Sequence, residues 1–197
     1  FSALVDRKIK EVAGFGLPVD MICPSHGVIW RDNPLQIVTR YAEWAANYRE
    51  NQVTILYDTM WDGTRRMAEA IAKGIHGADE AVTIKIFNVA RSDKNDIITE
   101  VFKSKAVLVG SPTINRGMLS AIAGILEEMR GLGFKDKKAA AFGAYGWSGE
   151  SVAMITERLR EGGFTIVNTG LKEFWAPDDQ SLETCANFGR DFGIQVT

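Results

Sequence analysis

The sequence has little cysteine and lacks any apolar run long enough to cross a membrane. Its two cysteines, Cys23 and Cys185, belong to no CxxC pair, which argues against a zinc ribbon or a rubredoxin-type iron site within the chain. No signal peptide opens the sequence, so we expect a reducing, cytoplasmic compartment and no membrane partner. The net charge of −2 argues against nucleic acid as the main partner.

Two common phosphate-binding motifs are also missing. The Walker pattern GxxxxGK[ST] does not occur, and no GxGxxG follows a predicted strand. The stretch "GLGF" at 131–134 follows a predicted helix, which is the wrong context for a dinucleotide fingerprint. A lysine-held triphosphate and a Rossmann dinucleotide are therefore both disfavoured.

The first fifty residues differ from the rest. They predict an opening helix that Gly14 can end, a short strand at 19–24 and a helix over 34–49, in which Asn33 is the cap and Pro34 lies in the first turn. Each helix carries an apolar face, formed by Phe1, Leu4, Val5, Ile9 and Val12 in the first and by Ile37, Tyr41, Trp44 and Tyr48 in the second.

One strand and two helices cannot build a core alone. Because the chain also begins at Phe1 without a capping residue, we expect a fragment of a longer protein. On this interpretation residues 1–50 are the tail of a larger domain whose body is missing.

From Val53 onward, strands and helices alternate regularly. The predicted strands are 53–57, 82–88, 106–110, 139–145 and 164–170, and the predicted helices are 64–76, 93–103, 118–130, 148–161 and 178–192. Such alternation is typical of a parallel sheet with helices on both faces. Because crossovers are right-handed, residues 53–197 predict an α/β domain with a doubly wound, five-stranded parallel sheet.

Ligands of such sheets bind beyond the carboxyl ends of the strands, near the switch point in strand order. The loop "DTMWDGT" (58–64) leads into a helix N-terminus, which attracts phosphate. Its hydroxyls and glycine suit one terminal phosphate held without a lysine. The candidate binding residues are Thr59, Met60, Trp61, Asp62, Gly63 and Thr64. A plain capped turn with Thr64 as N-cap is the alternative.

Two further loops reach the same edge of the predicted sheet. Loop 111–117 can present polar backbone to a planar ring, and loop 144–150 offers aromatic faces between glycines. The candidates are Ser111, Pro112, Thr113, Ile114, Asn115, Ala144, Tyr145, Gly146, Trp147, Ser148 and Gly149. The alternatives are an ordinary loop and two aromatics packed over the sheet end. Together the three loops favour a phosphate-bearing, flat aromatic ligand, and FMN fits best.

The stretches "YDTMWDGT" (57–64), "KIFNVARSDKN" (85–95) and "FGAYGWSGE" (142–150) resemble the flavodiiron proteins, or A-type flavoproteins. They are more similar to the flavorubredoxin branch, the anaerobic nitric oxide reductases, than to a free-standing flavodoxin. The resemblance implies a flavodoxin-like fold, FMN, and electron transfer from a rubredoxin-like donor to a diiron centre that reduces nitric oxide or dioxygen.

The stretch "MICPSHGVIWRDNP" (21–34) is similar to the end of the metallo-β-lactamase-like diiron domain of that family. The resemblance implies that His26 is the last histidine ligand of the diiron centre, and that the intact protein is a head-to-tail homodimer. The family's other iron ligands are absent here, so no catalytic residue is expected within this chain.

Two other functions remain open from the residues. A free-standing flavodoxin-like carrier does not need the apolar stripe of the 34–49 helix. A non-redox, receiver-like binding domain needs an acidic cluster and a lysine after the last strand, and "NTGLKEFW" (168–175) matches that requirement only weakly.

Overall fold

The computed structural model describes residues 2–196. The predicted place of Phe1 on a helix face therefore lies outside the described residues. The chain forms two compact units that divide between Tyr48 and Arg49.

The first unit contains two helices, α1 (Ser2–Ala13) and α2 (Leu35–Ala45), which pack against each other. The strand predicted at 19–24 is wrong, because only an isolated antiparallel bridge joins Ile22 to Trp30. Pro24 follows this bridge and has no N–H to extend a ladder.

Helix α2 also begins and ends differently from the prediction. Pro34 takes the N-cap position without a side-chain hydrogen bond. Asn33 contributes its carbonyl oxygen, which accepts from the Gln36 amide at 3.1 Å, so its assignment as the side-chain cap is wrong. The helix stops at Ala45 rather than at 49, and Asn47 then adopts a φ of 65°.

The second unit is built on one parallel sheet, and the predicted doubly wound α/β architecture is confirmed. The strands are β1 (Glu50–Tyr57), β2 (Thr83–Asn88), β3 (Ser104–Gly110), β4 (Lys138–Tyr145), β5 (Thr165–Ile166) and β6 (Leu171–Phe174). Their order is β2-β1-β3-β4-β5, with β6 also paired to β4. The helices are α3 (Gly63–Ala78), α4 (Lys94–Lys103), α5 (Ser120–Leu132), α6 (Ser151–Glu161) and α7 (Asp179–Val196), and a 3₁₀ turn spans Val89–Arg91.

Alternate residues of the central strands belong to two hydrophobic cores, one on each face of the sheet. On one face Ile55, Leu108 and Phe142 pack under α3 and α7. On the other face Leu56 and Val109 pack under α4, α5 and α6. Burial on both faces explains why residues 53–57 of β1 and 106–109 of β3 are mostly apolar.

The last predicted strand, 164–170, is divided in the structure. β5 contains only Thr165–Ile166, and β6 resumes at Leu171. Between them Gly170 adopts a φ of 84°, and its amide donates to the Asn168 side-chain oxygen at 2.9 Å. This turn interrupts pairing with β4, so a single strand over 164–170 is wrong. It sends β6 toward the carboxyl edge of the sheet, beside Tyr145.

Candidate functional site

A cavity of about 430 Å³ lies at the carboxyl edge of the sheet, where β1, β3 and β4 end. This volume is within the usual range for small-molecule sites. All three predicted loops line it. Its lining residues are Thr59, Met60, Trp61, Gly63, Thr64, Pro112, Thr113, Ala144, Tyr145, Gly146, Trp147, Trp175 and Ala176.

Six predicted site residues do not line this cavity. Asp62 pairs with Arg65 at 2.9 Å, and Ser148 donates to Glu150 at 2.7 Å. Ile114 and Asn115 belong to a tight turn closed by hydrogen bonds between Ile114 and Gly117. The remaining two are Ser111 and Gly149, and both are buried.

The backbone at the start of α3 leaves hydrogen-bond donors facing this region. Asp62 is the N-cap with a φ of 61° and makes no side-chain cap bond. The first helical bond runs from the Arg66 amide to the Asp62 carbonyl at 3.0 Å. The amides of Gly63 and Thr64 precede that bond and have no intrahelical partner. A helix N-terminus of this kind favours an anion.

Thr64 carries the most informative polar atom of the site. The residue is only 1% exposed, and its hydroxyl Oγ1 is buried without a hydrogen-bond partner within residues 2–196. Because Asp62 is the N-cap, the alternative in which Thr64 caps a plain turn is wrong. A buried hydroxyl without a partner costs about 1–3 kcal/mol, and a ligand oxygen at the helix start would satisfy it.

Several other polar groups in and beside this loop form hydrogen bonds or ion pairs within the protein. The Thr59 amide donates to the Asp58 carboxylate at 2.8 Å. Arg65 pairs with Asp62 and with Glu69 at 2.8 Å, and its hydrogen bond lowers the pKa of Asp62. None of the described residues that line the cavity is charged, which agrees with a phosphate held by hydroxyls and amides.

A buried hydrogen-bond network joins the second loop to the start of α6. The Thr113 hydroxyl donates to Ser151 Oγ at 2.9 Å, and Ser151 Oγ donates to the Ser111 carbonyl at 3.0 Å. Ser111 Oγ donates to the Pro112 carbonyl and accepts from the Leu119 amide. The Ser111 side chain therefore positions the loop and is not free for a ligand.

The third loop supplies the aromatic side of the cavity. Tyr145 is half-buried, whereas Trp147 is 89% exposed. Trp61, from the first loop, is 90% exposed. Large apolar rings left this exposed around a cavity mark a binding region.

The sequence reasoning missed a fourth segment, 174–177. Trp175 and Ala176 line the cavity, and Pro177 Cδ lies 3.6 Å from the position of a Cβ added at Gly63. The sequence carried a weak signal, because two adjacent aromatics precede a proline at the end of a strand. Lys172 in β6, the lysine nearest to a receiver-like position in this stretch, is exposed.

The predicted iron ligand lies in the first unit. His26 is exposed, and its Nδ1 is 3.1 Å from the Ser25 hydroxyl. Across residues 2–196 no group of three His, Cys, Asp or Glu side chains is placed to hold a metal ion. The assignment of His26 stays a prediction. No helix in that range is both long and apolar enough to cross a membrane.

The sequence profile described as flavodoxin matches residues 55–189. The chain belongs to the flavodoxin family. A flavodoxin domain binds FMN, and the match contains all three predicted loops. A flavodoxin from the domain Archaea is 30% identical, with a TM-score of 0.67, and the alignment covers 74% of this chain and 98% of that one.

Longer proteins match the flavodoxin part and the first unit together. The anaerobic nitric oxide reductase flavorubredoxin of Klebsiella pneumoniae is 56% identical over 99% of this chain and 40% of its own length. The rubredoxin oxygen:oxidoreductase of Desulfovibrio gigas is 34% identical, with a TM-score of 0.92, over 99% of this chain and 49% of that one. The chain thus spans less than half the length of these relatives.

Proposed function

We propose that this chain is the FMN-binding electron-transfer module of a flavodiiron oxidoreductase. In the intact protein it relays electrons from a rubredoxin-like donor to a diiron centre that reduces nitric oxide, dioxygen or both. The observation that carries the FMN assignment is the unpartnered Thr64 hydroxyl, buried at the start of α3 in the cavity that the three loops share.

The residues present fit FMN. Thr64, with the free amides at the start of α3, would hold the phosphate, and Thr59 would add a second hydroxyl. Pro112 and Thr113 would lie beside the ring, while Tyr145, Trp147 and Trp61 offer flat faces. The Thr113 amide donates to the Ala144 carbonyl at 2.9 Å and Pro112 has no N–H, so these two residues would offer the ring edge carbonyl oxygens and no amide donor. Bound FMN supplies one-electron and two-electron chemistry. The protein would bind and orient it.

The domain assignment belongs to the same proposal. Residues 53–197 form the flavodoxin-like domain, and residues 1–50 are the tail of a metallo-β-lactamase-like diiron domain to which His26 contributes a ligand. The likeness to flavorubredoxin over 99% of the chain supports this, because it includes the first unit, whereas the archaeal flavodoxin aligns with only 74%. A rubredoxin donor, a head-to-tail homodimer and a cytoplasmic location complete the proposal.

Titration of the apoprotein with FMN tests the cofactor assignment. We expect about one FMN per chain, as for a single switch-point site, with flavin bands in the visible spectrum. Anaerobic mixing with chemically reduced rubredoxin should then bleach those bands. A protein that stays colourless after reconstitution contradicts FMN binding, whereas a loaded protein that rubredoxin cannot reduce contradicts only the donor.

A further inference from the structure

Trp175 is a bulky residue held in a backbone conformation that L-residues avoid. Its φ is 60°. Asn and Asp tolerate this region because their short side chains hydrogen-bond locally, and most of the other non-glycine residues with positive φ in the described chain are Asn or Asp. For a residue as large as tryptophan the conformation is an outlier that calls for a compensating role.

The backbone at Trp175 bridges two walls of the cavity. The Trp175 amide donates to the Tyr145 carbonyl at 2.8 Å, which extends the β4–β6 pairing by one hydrogen bond into the third loop. Two residues later Pro177 lies against Gly63 at the start of α3. The left-handed turn at Trp175 is what directs the chain from one wall to the other, and glycine would make that turn without strain.

A glycine at position 175 would make the turn but would lack the contacts that the Trp175 indole ring makes. Its nearest atom is 3.5 Å from the position of a Cβ added at Gly146, so the ring covers the third loop. Its centroid is 6.1 Å from that of Trp147. It lines the cavity although 59% of the residue is exposed. Core packing therefore does not account for the ring, whereas contact with a flat ligand does.

We propose that Trp175 is a flavin-contacting residue that recognises the aromatic ring system rather than the phosphate. This inference rests on the proposed function and adds a fourth segment to the three loops of the cavity. Trp175 forms the wall between the third loop and the start of α3. Its contribution is the same for any flavin that enters the cavity, with or without a phosphate.

The test compares FMN with riboflavin in Trp175→Gly and Trp175→Phe. Stacking of a flat ring on an aromatic side chain is worth enough that Trp175→Gly should weaken both flavins by the same factor, about tenfold to a hundredfold. Trp175→Phe should recover most of the loss. The emission of bound flavin should rise in Trp175→Gly because an indole neighbour that quenches it is gone. The apoprotein should melt within a few degrees of the wild type.

Asp136→Gly is the matched control. Asp136 also has a positive φ, of 63°, but it precedes β4 at the opposite edge of the sheet, so this variant should leave both flavin affinities unchanged. Equal flavin affinity in Trp175→Gly and wild type overturns the inference and leaves FMN binding intact. A large drop in apoprotein melting temperature that Trp175→Phe does not rescue also overturns it, since the role is then structural. If the wild type binds neither flavin, the proposed function itself fails.

Discussion

At the scale of single residues, the Thr64 hydroxyl is the atom on which the proposed phosphate contact depends. Its side chain is buried because α3 packs on the sheet, yet no group among residues 2–196 satisfies its hydrogen bond. Thr54 offers the opposite case in the same unit, since its buried hydroxyl is paired with Ser104 Oγ at 2.8 Å. Replacing each threonine with valine therefore compares the loss of an unsatisfied hydroxyl with the loss of a hydrogen-bonded one.

Thr64→Val should stabilise the apoprotein and weaken FMN. Valine has a similar shape but no hydroxyl, so the cost of the unpaired group, about 1–3 kcal/mol, is partly removed. A lost hydrogen bond to a charged phosphate should weaken FMN by roughly tenfold to a hundredfold. Riboflavin affinity should hardly change. Isothermal titration with both flavins and thermal melting of the apoprotein check these outcomes.

Thr54→Val is the control for this substitution. It leaves Ser104 Oγ with one partner fewer, so it should destabilise the apoprotein by about 1 kcal/mol without a change in the ratio of FMN to riboflavin affinity. Equal losses of both flavins in Thr64→Val would show that the hydroxyl supports the loop rather than the phosphate.

Lys137 is a buried amine at the other edge of the sheet. It is 3% exposed, and its Nζ donates to the Phe102 and Ser104 carbonyls at 2.9 and 2.6 Å. Burial lowers its pKa to about 8, and the charge of Arg49 acts in the same direction. An unfolded lysine has a pKa of about 10.4. Between these values the unfolded chain binds more protons than the folded one.

The contribution of Lys137 to stability should therefore rise with pH. Below pH 8 the folded state bears the full cost of the buried charge, and this cost is relieved as pH increases from about 8 to about 10.4, by at most about 1.4 kcal/mol per pH unit. Urea unfolding of the wild type and of Lys137→Met across this range measures the difference. Parallel pH profiles for the two proteins would contradict the lowered pKa.

At the scale of elements, α3 and α7 approach each other so closely that glycine is required. A Cβ added at Gly74 would lie 1.8 Å from the Ala186 carbonyl oxygen, and one added at Gly189 would lie 2.1 Å from the Ile71 carbonyl oxygen. Both obstacles are backbone atoms, so a side-chain rotation cannot relieve them. This packing holds α3, and with it the helix N-terminus at the cavity, against the sheet.

Gly74→Ala should destabilise the protein by about 1–3 kcal/mol or more, because overpacking forces the two helices apart. Gly77 lies in the same helix, and a Cβ there would meet nothing within 4 Å. Gly77→Ala should therefore stabilise the protein by about 0.5–1 kcal/mol. Chemical unfolding measures the change in the free energy of unfolding, which should have opposite signs in the two variants. An unchanged free energy of unfolding in Gly74→Ala would contradict the close approach of the helices.

At the scale of the whole molecule, the chain combines a unit that belongs to the flavodoxin family with a smaller first unit. The flavodoxin match begins at residue 55. Within residues 2–196 no cluster suited to a metal ion exists. The diiron reaction proposed above therefore needs ligands from outside the described residues. The proposed binding of FMN needs no such ligands.

The chain alone should carry electrons without reducing nitric oxide at an enzymatic rate. His26 by itself cannot hold a pair of irons. FMN-loaded protein, reduced anaerobically and mixed with nitric oxide in an electrode cell, should consume the gas no faster than free reduced FMN at the same concentration. Added ferrous iron should make no difference, and rapid consumption by the chain alone would show that the diiron assignment is wrong.

Much of the fold could be predicted from local sequence patterns. Apolar strands such as 53–57 and 106–110 repeat with helices between them, and the parallel arrangement follows from this order. The grouping of the three loops could be predicted because the carboxyl ends of parallel strands share one edge of the sheet. Thr59, Gly63 and Tyr145 could therefore be grouped without knowledge of a single contact.

Tertiary structure decided the features that depend on contacts distant in sequence. The break between β5 and β6, the place of Trp175 against Gly146, and the unpaired state of the Thr64 hydroxyl all arise from neighbours far along the chain. Local propensity carries no information on such neighbours. The sequence by itself determined which edge of the sheet carries the candidate site, and only packing determined which polar atoms there are left without a partner among the described residues.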